Sequence, residues 1–139
     1  MPPDPADTDP VLAATLPALL QRIFATLDGV QGIWLFGSFA HGRATAASDI
    51  DLAVLGSRPF DPVALFELGL ALGVLARRDV DLVDVRCAPV VLKKEILGGK
   101  LVANRNPGAC ERFAAEAMAL YVAFRDEQAL AGVSNGSRR

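Results

Sequence analysis

The chain has 139 residues, with 14 Lys plus Arg against 16 Asp plus Glu and a formal net charge of −2. That length suits one domain, and a pI near 5.3 offers no basic field for non-specific nucleic-acid binding. Hydrophobic residues make up 52% of the sequence and the mean hydropathy is +0.32; this is high for a free monomer and predicts an interface with another chain.

The opening MPPDPADTDP lacks a basic stretch followed by an apolar one, so it does not read as a signal peptide, and residues 1–9 are expected to be disordered. Leu12, Leu16, Leu19, Leu20, Ile23, Phe24 and Leu27 form a helical stripe that Asp28-Gly29 ends. Pro17 leaves two starts open: Asp9-Pro10 with a kink at Pro17, or a shorter helix capped by Thr15. Val30 to Phe36 (VQGIWLF) reads as a buried strand, Gly37-Ser38 as a turn, and the small polar residues 40–48 as a loop. Asp49 to Leu55 (DIDLAVL) is a second strand, and strand alternation puts Asp49, Asp51 and Ala53 on one face.

Asp61-Pro62 opens a second helix running to about Arg78 and apolar nearly all round, hence central or partner-facing. Its core, residues 62–76, contains Glu67 and falls short of the roughly 20 residues a membrane span requires, so a cytoplasmic protein with no membrane association is expected. Val80 to Val85 (VDLVDV) is a third strand. Pro89 to Leu97 reads as a short helix stopped by Gly98-Gly99, and Lys100 to Ala103 as an edge strand. Asn106-Pro107 caps a last helix with Phe113, Ala117, Leu120, Tyr121 and Phe124 on one face. Residues 10–130 thus form one domain, followed by a loose Gly/Ser-rich tail over 131–139. Cys87 and Cys110 form no CxxC pair and, with one His, build no zinc site; both are expected to be packing residues.

The acidic strand residues carry the chemistry. Burying unpaired carboxylates costs several kcal/mol or more, so Asp49 and Asp51 call for a cation. A third carboxylate comes from Asp79, Asp81 or Asp84; Asp81, set deepest between apolar neighbours, is the best choice, and Asp84 points the other way. Oxygen-only ligation favours Mg²⁺ or Mn²⁺ over zinc. Gly37 has no side chain to keep a phosphate from the backbone, and Ser38 adds a hydroxyl. A phosphate cradle facing a carboxylate-bound metal is what a nucleoside triphosphate needs.

Gly37-Ser38, ten residues, then Asp49-Ile50-Asp51-Leu52 resembles the signature of the polymerase-β-type nucleotidyltransferase superfamily. GSFAxG, SDIDLAV and the later VDLVDV most resemble its minimal nucleotidyltransferases, over roughly residues 15–125. The resemblance implies an α/β fold, a small mixed sheet with helices packed against it. It implies that Gly37 and Ser38 hold the triphosphate of ATP and that Asp49 and Asp51 bind two divalent ions. Asp81 would complete the metal site and activate the acceptor hydroxyl. Many minimal members pair with a HEPN-domain ribonuclease toxin and silence it by adding AMP to a tyrosine, so a hetero-oligomer is expected. Relatives often carry Arg where this chain has His41; Arg43, two residues on, is the candidate to supply that charge to the nucleotide. Lys93 and Lys94 read first as a solvated helix face, with triphosphate contact as the alternative. Two rival readings stay open: a binding-only antitoxin that masks its toxin sterically, and a nucleotidyltransferase of small molecules such as antibiotics.

Overall fold

A computed structural model describes residues 10–135. Helix α1 spans Pro10–Thr26, strand β1 Val30–Phe36, and a single 3₁₀ turn Ser38–His41. Strand β2 follows at Ile50–Gly56, helix α2 at Pro62–Ala76 and strand β3 at Val80–Asp84. A second 3₁₀ turn at Val85–Cys87 leads to α3 at Val90–Leu97, β4 at Lys100–Asn104 and α4 at Pro107–Asn135. The expected α/β class with a small mixed sheet is what forms. The strand order is β3-β2-β1-β4; β1 runs antiparallel to β2 and β4, while β2 and β3 are parallel.

Strand alternation divides the core in two. Ile33 and Leu35 of β1 and Ile50, Leu52 and Val54 of β2 face α1 and α2, meeting Leu12, Leu19, Ile23, Leu68 and Leu72. Trp34, Phe36, Ala53 and Leu55 face α3 and α4, meeting Ile96, Cys110, Phe113 and Ala117. Both faces are covered, which is why β1 and β2 read as nearly continuous apolar runs. Each fully buried Leu or Ile contributes about 1.5–3 kcal/mol. Trp34 and Phe113 meet edge-on, ring centroids 5.5 Å apart.

Several local expectations are refined. The helix starts at Pro10 with Pro17 inside it on an exposed position, so Thr15 is no cap. The strand that was expected to begin at Asp49 begins at Ile50, leaving Asp49 exposed just outside it. Asp61 caps α2, its side chain accepting from the Val63 amide at 3.2 Å. The expected loose tail from 131 is corrected over 131–135: α4 continues to Asn135, because propagating a formed helix through Arg125–Ala131 needs no new nucleus. The expected disorder of residues 1–9 and the tail residues 136–139 lie outside the described residues. Cys110 packs in the core as expected, but Cys87 is exposed.

Candidate active site

The sheet register builds the site. Phe36, the last residue of β1, pairs with Asp51, and Asp51 pairs in turn with Asp81 of β3. In a parallel pair, partners point to the same face, so both carboxylates stand on the α3/α4 side. Gly37 follows Phe36 directly and therefore lies against the Asp51 carboxyl. Its backbone has φ +73° and ψ −153°, a combination open almost only to glycine. A Cβ at this position would also collide with the Asp51 Oδ2. Glycine is required here twice, once for conformation and once for the carboxylate beside it.

Asp51 is half-buried, and its pKa is raised from 3.8 to about 6. Burial is the largest cause, followed by the negative charges of Asp81, Asp49 and Glu95. Glu95, exposed on α3, was invisible to sequence reasoning; nothing in a short Lys-Lys-Glu run says which way the helix turns. The reading of Asp81 as the deepest carboxylate is overturned. Asp81 and Asp79 are exposed, and Asp84 is the buried one at 6% exposure. Asp84 does point the other way, and its oxygens accept from the Phe60 amide at 2.7 Å and the Arg86 amide at 3.0 Å. It ties the turn after β3 to the segment before α2 and takes no part in the Asp51 group.

Ser38 opens the 3₁₀ turn, half-buried, while His41 and Arg43 are exposed. The Arg43 amide donates to the Ser38 carbonyl at 3.0 Å, folding the loop back on the Gly-Ser turn. A second residue missed by sequence reasoning is Arg78. Its guanidinium donates to the Ser48 carbonyl at 2.6 Å and the Thr45 carbonyl at 3.0 Å, and it lies 5.0 Å over the Phe39 ring. Arg78 thereby clamps the loop joining the Gly-Ser turn to the Asp49-x-Asp51 strand. Lys94 sits 5.2 Å over the Tyr121 ring, on α3 and α4.

Among the described residues no group of three or more Asp, Glu, His or Cys side chains is arranged so that it could hold a metal ion. What fits a divalent ion is the chemistry of the donor set: oxygen-only carboxylates, with burial first and then the neighbouring negative charges lifting the Asp51 pKa. Asp51 and Asp81 share one face of the sheet, and Asp49 lies just before the strand that carries Asp51.

Residues 19–108 match the family model described as polymerase beta, nucleotidyltransferase. The chain belongs to that family. The protein adenylyltransferase MntA of Shewanella oneidensis is 36% identical over 112 residues, covering 79% of each chain. A crystal structure of a toxin–antitoxin with AMP-PNP superposes with TM-score 0.78 at 31% identity, covering 85% of this chain and 96% of that one. A tri-AMPylated Shewanella oneidensis HEPN toxin in complex with MNT antitoxin gives TM-score 0.74 at 28% identity, covering 88% and 97%. No helix among the described residues is long and apolar enough to cross a membrane.

Proposed function

We propose that this chain is an antitoxin adenylyltransferase. It transfers AMP from ATP to a tyrosine hydroxyl of a HEPN ribonuclease toxin in the cytoplasm, with two Mg²⁺ or Mn²⁺ ions held by Asp49, Asp51 and Asp81. The observation that carries this reading is the Asp51 carboxyl, set against Gly37, its pKa raised to about 6 by burial and then by the other carboxylates near it. Such an arrangement is unfavourable on its own and becomes favourable once positive charge and phosphate enter together.

A divalent ion bound there would neutralise the clustered carboxylates and draw charge from the attacking and leaving oxygens. Gly37 leaves the backbone open to the triphosphate, and Ser38 and Arg43, joined through the folded-back loop, supply a hydroxyl and a cation to it. The acceptor oxygen attacks the α-phosphorus in line, and the bond to the bridging oxygen breaks. Pyrophosphate leaves with that electron pair. The hydroxyl proton passes to the Asp81 carboxylate, which is exposed and so open to a protein acceptor. The similarity to a protein adenylyltransferase, and to complexes containing AMP-PNP and a tri-AMPylated HEPN toxin, supports both donor and acceptor.

Incubation with ATP, Mg²⁺ and the HEPN toxin should raise the toxin's intact mass by one or more AMP units, and Asp51→Asn should abolish the gain. A toxin neutralised without mass change, equally well by Asp49, Asp51 and Asp81 variants, would establish the steric mask instead.

A further inference from the structure

Beside the site, on the far side of β3, lies a groove of about 890 Å³. Its floor is β3 itself; one wall is α2, through Phe66, Leu70 and Val74, and the other includes Pro89 and Leu92. Those three α2 residues are 58%, 61% and 81% exposed, too much apolar surface to be left in water along one helix face.

The floor is a sheet edge, since β3 pairs with β2 alone. The Ile50 amide donates to the Asp79 carbonyl at 2.9 Å, which sets the alternation: odd-numbered residues of β3 turn their main chain toward β2. Val80 and Leu82 therefore turn theirs outward. Helix α2 approaches this edge through Gly69 and Gly73, where a Cβ would sit 3.5 Å from the Val80 oxygen and 3.8 Å from its nitrogen. The absence of side chains there lets the helix backbone pack close beside Val80, and leaves Leu82 as the outward-turned residue farther along the edge. The groove also carries one sign of charge. Asp79 and Asp81 line it, exposed, Asp84 is engaged by two amides, and no Lys, Arg or His is among its described lining residues.

We propose that this groove docks the acceptor-bearing segment of the protein substrate as an extended chain added to the edge of β3. The segment is apolar at alternate positions and carries a Lys or Arg near its hydroxyl residue. The inference rests on the AMP-transfer reading above and names how the acceptor reaches it. Asp81 belongs to both groove and site, so a chain laid along β3 passes directly beside the transfer centre. Backbone pairing supplies affinity, and the apolar walls and the acidic floor supply selection. A second copy of this chain fits poorly, because a two-fold β3–β3 pairing would bring Asp79 and Asp81 against their own counterparts.

The test uses the full chain and the intact HEPN toxin. Hydrogen exchange should show the outward-turned β3 amides of Val80 and Leu82 gaining protection when the toxin binds, with or without ATP. Leu70→Glu and Asp79→Lys, both at exposed positions, should each raise the KM for toxin roughly tenfold or more, with the KM for ATP and the thermal midpoint unchanged. Unprotected β3 amides, or a toxin KM unmoved in both variants, would overturn the proposal. So would a wild-type dimer that Leu70→Glu dissociates while transfer continues unaffected. If the β3 amides are protected and both variants weaken toxin binding yet no AMP appears on the toxin, docking stands and the transfer reading falls. AMP transfer that ignores both variants sinks the docking alone.

Discussion

Asp51 and Asp84 lie at opposite ends of one parallel strand pair and on opposite faces of the sheet. The more deeply buried of the two, Asp84, is fully explained by protein groups: two main-chain amides at 2.7 and 3.0 Å answer its charge. The half-buried Asp51 meets Gly37 and three further carboxylates, and its pKa rises to about 6. The contrast separates two uses of an acidic residue. A carboxylate supplied with donors is part of the scaffold, whereas one supplied with more negative charge is a place prepared for something positive.

The largest effect should come from reversing the roles. Asp51→Asn should cut AMP transfer on the order of 10³-fold while leaving the unfolding midpoint intact, read by single-turnover transfer of labelled AMP. Asp84→Asn, assayed below its own melting range, should keep transfer within a few-fold. Equal losses in two folded variants would erase the distinction.

Stability should show the opposite order. Asp84→Ala strands the Phe60 and Arg86 amides and should cost about 2–4 kcal/mol, seen as a lower denaturant midpoint with an unchanged slope. The matching change at Asp51 removes repulsion and should leave the metal-free protein as stable or slightly more so.

A pH series sharpens the same point. Asp51 ionises near pH 3.8 when unfolded and near 6 when folded. Below pH 3.8 both states hold the proton; between 3.8 and about 6 only the native state does, so stability falls as pH rises through this window. Allowing for solvent screening of a half-exposed group, the loss should be about 1 kcal/mol. It should vanish in Asp51→Asn. Mg²⁺ at neutral pH should raise the thermal midpoint of the wild-type protein, and EDTA should reverse that gain.

The smallest effect concerns Arg78, a cation placed on the loop rather than on the carboxylates. Arg78→Met should loosen residues 45–48 and raise the KM for ATP roughly fivefold, equivalent to about 1 kcal/mol, with kcat nearly unchanged. Arg78→Lys should recover part of it, since an ammonium keeps donors for the two carbonyls but loses the planar guanidinium that lies over the Phe39 ring. A fall in kcat alone would place Arg78 in the transfer step instead.

Much of this protein is written in short-range pattern. The strand Val30–Phe36, the Asp61 cap of α2 and the alternation of Asp51 with Leu52 follow from periods of two and 3.6 and from turn chemistry. The glycine at 37 is likewise legible as a turn, and the structure gives its reasons as a backbone conformation open almost only to glycine and the Asp51 carboxyl beside it. What lies beyond reach of local pattern is which elements become neighbours. DVDLVDV, residues 79–85, has three acidic positions flanking similar apolar residues, and its alternation says only that Asp84 faces away from Asp81. That Asp84 is buried and bonded while Asp81 stays exposed beside Asp51 depends on the turn at Val85–Cys87 and on the segment before α2. Glu95 and Arg78 join the site through the docking of α3 and the end of α2, contacts between residues 30 or more positions apart. Periodicity is a property of the chain and survives in the sequence; adjacency is a property of the packed core, and it appears only when the two faces of the sheet are filled.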